Sequence, residues 1–134
     1  MATAISEELY LDERKIQIKD LAEKQKEIIT NGSAVKTGRK ISGRDEYVKH
    51  FFISSLPNNS ALNLGTGLDH SKIRFLSVVG MANGDAQALP LPFVSLSGWG
   101  IQVVPQYLTN TIIITTPNDR SLYSAHLDVY FFYV

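Results

Sequence analysis

The chain has 134 residues, 44% of them hydrophobic, with 13 basic and 13 acidic side chains and no cysteine. That length suits one domain of about 100 to 200 residues, and the composition excludes the low-hydrophobicity, high-charge signature of disorder. Balanced charge gives no basic field for nucleic acid or anionic lipid, and the lack of thiols excludes a disulfide framework or a thiolate zinc site.

The opening residues, Met1 to Glu8, have neither a positive n-region nor an apolar h-region, which predicts no signal peptide and synthesis in the cytosol. From Ser6 to about Thr30 the residues are strong helix formers without glycine or proline, and Asn31-Gly32 supplies a stop. With Leu11, Ile18 and Gln25 as heptad a positions and Arg14, Leu21 and Ile28 as d positions, four of the six seam sites are apolar. Such a face either packs on the chain's own β domain or associates with copies of itself. A helix of that length, roughly 37 Å, overhangs a small domain, which favours association.

Residues 32–46 contain glycines and clustered charges with no apolar period, and read as a linker. The expected organisation is therefore an N-terminal helix over 1–31, a linker over 32–46 and a β domain over 47–134. Charge is distributed accordingly: residues 51–134 carry only seven of the 26 charged side chains.

Beyond Glu46, β-branched and aromatic runs alternate with Asn, Gly, Pro and Asp clusters, the pattern of strands and turns. Strands are predicted at Tyr47 to Ser55, Ala61 to Leu64, Ile73 to Met81, Gln87 to Val94, Ile101 to Val104, Thr111 to Thr116 and Leu122 to Val134. Seven short strands predict a mainly β fold, an antiparallel barrel or sandwich. The uncharged run from Ala86 to Asn118 is broken by Pro90, Pro92, Pro105 and Pro117, so no membrane insertion is expected. In the last strand Tyr123, Ala125, Leu127, Val129, Phe131 and Tyr133 form one apolar face. The opposite face turns apolar at Tyr130, Phe132 and Val134, which asks for a second cover from another subunit.

Candidate chemistry is sparse. His126 and Asp128 lie two apart on a strand and so share a face, where they could act as two metal ligands or as a base and its orienter; a solvated polar face explains them equally well. Asp69-His70 follows Gly65-Thr66-Gly67-Leu68, but the glycines match neither a P-loop nor a dinucleotide turn, and a tight turn accounts for them. No nucleophile elbow, His-Glu-x-x-His helix or paired-carboxylate motif is present. Neither enzyme activity nor a catalytic, metal or cofactor site is expected. The remaining candidate is Trp99, the only tryptophan, in the loop Ser95-Leu-Ser-Gly-Trp-Gly100. An indole presented between glycines suits the C–H face of a sugar, with Asn83, Asp85 and Tyr107 as candidate saccharide-binding neighbours. The alternative is that Trp99 plugs a core or a subunit interface.

Three stretches carry a resemblance. They are Ser55-Leu-Pro-Asn-Asn-Ser60 before Asn63-Leu-Gly-Thr-Gly67, then Gly80-Met-Ala82 leading to Leu89-Pro-Leu-Pro-Phe93, and Thr115-Thr-Pro-Asn-Asp-Arg-Ser121 with Tyr123-Ser-Ala125. In this order they resemble the C-terminal head domains of bacteriophage tail-fibre and baseplate receptor-binding proteins, over about residues 47 to 134. The resemblance implies a homotrimeric β head that recognises a host cell-surface glycan. It further implies a location in the virion, at the tail tip, baseplate or capsid surface, with the N-terminal helix joining other virion proteins or the trimer. It makes Asp119-Arg120-Ser121 scaffold, a turn that launches the last strand, with Asp119 bonding backbone N–H groups two residues on. The Trp99 loop and the ending Tyr130-Phe-Phe-Tyr-Val134 depart from the family pattern. Because 134 residues is short for a full fibre, the alternative is a capsid decoration, head-fibre or small baseplate structural protein without receptor binding.

Overall fold

The computed structural model describes residues 27–95 and 97–134. The helix expected over the N-terminal residues lies mostly outside them. Its expected last residues do not continue a helix: Glu27 to Ile29 are irregular and Thr30-Asn31 form a turn. Ile28, Ile29 and Thr30 are β-branched and lose side-chain freedom in a helix. Asn31, at φ 54°, also has better partners. Its N–H donates to the His50 carbonyl at 2.8 Å, and its side-chain oxygen accepts from the Phe52 N–H at 3.1 Å.

The stretch read as a linker is also structured. It holds β1 (Val35–Ile41) and the start of β2 (Arg44–Ile53), paired antiparallel with Ile41 opposite Arg44. Ser42 and Gly43 both have positive φ, 49° and 81°, as a two-residue hairpin turn requires. The remaining strands are β3 (Ala61–Gly65), β4 (Ile73–Asn83), β5 (Ala88–Leu91), β6 (Gln102–Pro105), β7 (Thr111–Thr115) and β8 (Ser124–Tyr133). They form two antiparallel sheets, ordered β1-β2-β8-β4-β5 and β3-β7-β6. The barrel alternative is thereby corrected, because the sheets do not close on each other. Among the described residues no helix is long and apolar enough to cross a membrane.

One core lies between the sheets. Phe51 and Ile53 of β2 and Ala125, Leu127, Val129 and Phe131 of β8 meet Ile112 and Ile114 of β7. The expected odd face of the last strand is thus the core face, and each fully buried leucine or isoleucine there contributes about 1.5–3 kcal/mol. Gly80 lets β4 lie close against β8, since a Cβ there would sit 1.9 Å from the His126 carbonyl oxygen. By strand alternation, His50, Phe52, Val79, Met81, His126, Asp128, Tyr130 and Phe132 project from the other side of the five-stranded sheet, its outer face.

Two turns fix the ends. Asp119 accepts the Ser121 N–H at 2.9 Å, the Asx geometry expected before the last strand. In the Gly65-to-His70 turn, Gly67 takes φ 71° and Asp69 accepts the Ser71 N–H at 3.1 Å. His70 is fully buried there. Its ring bonds the Thr66 hydroxyl and the Gln106 carbonyl, and its backbone N–H donates to the Asn110 side chain. It staples this turn to the β6–β7 connection, a scaffold role.

Candidate functional site

The Trp99 loop is closed at its base by Phe93 and Ile101, whose backbones exchange hydrogen bonds of 3.0 and 2.9 Å. Within it the Ser95 hydroxyl accepts the Ser97 N–H at 3.3 Å, and Gly98 has φ 79°, a left-handed conformation that favours glycine. Gly100 is required by space, because a Cβ would meet the Phe93 carbonyl oxygen at 2.8 Å. These constraints leave the indole outside the core, with Trp99 56% exposed. The reading of Trp99 as a core plug is therefore corrected.

The loop is braced from below. Arg120, only 7% exposed, donates from Nη2 to the Trp99 carbonyl at 2.8 Å. Its guanidinium carbon lies 5.9 Å from the Trp99 ring centre and 5.2 Å from that of Tyr123, within cation–π range. Arg120 makes no ion pair among the described residues. Its Nε and the Asn118 Oδ1 are buried polar atoms without hydrogen-bond partners there.

Beside the loop opens a cleft of about 400 Å³, lined by Phe93, Val94, Ser95, Gly98, Gly100, Gln102, Thr115 and Pro117; the Trp99 indole is not one of its walls. Its polar groups are hydroxyls and one amide, and none of the lining side chains is charged. Apolar walls with a few neutral donors and acceptors suit a small uncharged ligand with several hydroxyls.

The other expected site residues are placed differently. Asn83 ends β4 and Asp85 follows in the β4–β5 turn; neither lines the cleft. That turn reaches Trp99 only indirectly, through the Gln87 amide bonded to the Tyr123 hydroxyl at 3.1 Å and then through Arg120. Tyr107 lies past the opposite end of β6, packed on Phe75 at 5.4 Å and near Arg74 at 5.5 Å. A four-residue strand, at about 3.3 Å per residue, separates it from Trp99. Sequence reading missed Phe93, Gln102 and Thr115 as cleft walls and Arg120 as the brace. The Asp-Arg-Ser turn was visible in sequence, but not that its arginine would reach a loop 21 residues away.

A second polar group lies on the outer face. His50 Nδ1 is 2.5 Å from Asp128 Oδ1, and His50 Nε2 is 2.8 Å from His126 Nδ1. The shared face of His126 and Asp128 was legible from their spacing. Their partner His50 was not, because only the pairing of β2 with β8 brings it there. Comparison of the chain with family models, curated proteins and solved structures finds no match.

Proposed function

We propose that the chain is a virion protein of the phage receptor-binding type, whose β head assembles as a homotrimer and binds a neutral host-surface saccharide at the Trp99 cleft. The observation that carries this reading is an exposed indole on a braced loop beside a cleft of uncharged lining. One sugar ring would occupy the cleft and exchange hydrogen bonds with Ser95, Gln102 and Thr115, and a neighbouring ring of the same glycan would stack on the indole outside it. Each site would be weak, on the order of millimolar, because sugar hydroxyls give up water hydrogen bonds to make similar ones. The N-terminal residues would join the head to other virion proteins.

The test is saturation-transfer NMR of the protein against a panel of neutral glycans, together with labelling of host cells and of virions. Trp99→Ala should abolish both glycan transfer and cell labelling while shifting the melting temperature little, since the side chain is half in solvent. A stability loss of about 3 to 5 kcal/mol, the cost of truncating a buried tryptophan, would overturn the assignment of Trp99 to the ligand. Labelling of virions in place of glycans and cells would favour a capsid decoration role instead.

A further inference from the structure

We propose that the outer face of the five-stranded sheet holds a copper(I) site formed by His50, His126 and Met81, with Asp128 orienting His50. Two adjacent strand rows supply it. His50 stands opposite Asp128 across the β2–β8 pair, and Phe52, His126 and Met81 are in register across β2, β8 and β4. All of these side chains leave the sheet on the side away from the core.

The hydrogen bonds prepare the two rings as ligands. The Asp128 carboxylate can only accept, so His50 donates to it from Nδ1 at 2.5 Å. In a neutral ring this leaves a lone pair on Nε2, which lies 2.8 Å from His126 Nδ1. A carboxylate holding the far nitrogen of a histidine is the usual second layer of a metal site, where it fixes the tautomer and raises ligand basicity. The ring centres of His50 and His126 are 5.0 Å apart, so the facing nitrogens lie close to the line joining them, and a metal between them at about 2.0–2.1 Å from each would hold them about 4.0–4.2 Å apart. The rings therefore need to open by about 1.2–1.4 Å along the line that joins them. A metal would then replace the single proton shared between the facing nitrogens.

The third donor selects the ion. No group of three His, Cys, Asp or Glu side chains is set to hold a metal among the described residues. Met81 lies directly opposite His126 and is 41% exposed. Side chains opposite each other in a sheet have Cβ atoms about 4.5–5.5 Å apart, and methionine's three rotatable bonds let its sulfur close that gap. A thioether with two imidazoles suits copper(I) better than zinc or calcium. Phe52 shields one side, with its ring centre 4.9 Å from that of His126.

The experiment is an anaerobic titration of the full chain with Cu⁺ against a chromogenic Cu⁺ chelator of known affinity, with Zn²⁺ as the comparison ion. One Cu⁺ per chain should be withdrawn from the chelator, and copper X-ray absorption should show a sulfur neighbour. His126→Ala should abolish binding. Asp128→Asn should weaken it about 10- to 100-fold, the usual effect of losing a second-layer partner, and Met81→Leu should weaken Cu⁺ at least as much while leaving any Zn²⁺ binding unchanged. Metal-free melting curves establish that each variant folds; if His126→Ala does not, His126→Gln takes its place. Trp99→Ala should bind copper normally, which separates this site from the saccharide cleft. Failure to withdraw Cu⁺, unchanged affinity in Met81→Leu, or tighter Zn²⁺ than Cu⁺ would overturn the proposal.

Discussion

Asp119 shows how one side chain links sequence, turn and stability. The Ser121 hydroxyl and N–H hydrogen-bond to its ionised carboxylate and hold its pKa below the usual carboxylate range. Ser71 does the same for Asp69. Because the folded-state pKa lies below the unfolded value of about 3.9, each carboxylate's contribution is present above that value. It is lost as pH falls through the lower folded pKa. Urea midpoints measured from pH 6 to pH 2 should therefore drop below about pH 4. In Asp119→Asn, which keeps the Ser121 N–H bond but cannot titrate, that drop should be smaller, because neutral-pH stability is already reduced by the loss of the ionised carboxylate's contribution. An identical acid limb in the variant would show that this turn is not formed. The Asx turn was legible because it is local, a bond two residues long. The buried arginine beside it was not, because its partners Trp99 and Tyr123 are set by the packing of separate segments.

At the level of elements, seven of the strands were legible and the charged edge strand β1 was not. β8 alternates so cleanly that its core face could be read from Ala125 to Phe131, although Tyr133, expected on the same face, is exposed, whereas β1 exposes Lys36, Arg39 and Lys40 and has no apolar period. Charged residues on an edge strand discourage pairing with other chains, and they erase the pattern by which the strand would be recognised. Which strands would pair was also hidden, since β8 lies between β2 and β4, far apart in sequence. That is why sandwich and barrel could not be separated. The hairpin gives a direct check by limited trypsin digestion. Lys36, Arg39, Lys40 and Arg44 should be cut far more slowly in the native protein than in a urea-unfolded control, and the buried Arg120 should be among the last sites lost. Rapid native cleavage between Lys36 and Arg44 would show that β1 does not hold to β2 in solution. Early cleavage at Arg120 would instead unseat the brace beneath Trp99.

For the whole molecule, the question is what covers the aromatic end of β8. Tyr130 and Phe132 are only half-buried on the outer face, Phe132 beneath the Arg44 guanidinium at 5.4 Å, and Tyr133 and Val134 are exposed. A contiguous, partly exposed apolar patch of this kind is the sort of surface that marks an interaction site. The proposed trimer would bury them, and they lie farther along β8 than the His126 cluster, so the two proposals can be tested apart. Light scattering behind size-exclusion chromatography should give about three times the 14.9 kDa chain mass at micromolar concentration. Phe132→Glu, which places a charge on the contact, should reduce this to one chain without loss of folded structure. A single-chain mass for the unaltered protein would remove the trimer, and a dimer would keep self-association while removing the likeness to phage heads. The variant also tests why a trimer would matter. Linked weak sites gain avidity through effective concentration, by about 10²–10⁴ when geometry allows simultaneous contact. Monomeric Phe132→Glu should therefore keep the per-site glycan affinity seen by NMR yet fail to label cells, whereas Trp99→Ala should remain trimeric and lose both. If the monomer labelled cells as well as the unaltered protein, adhesion would not depend on assembly, and the aromatic end of β8 would need another explanation.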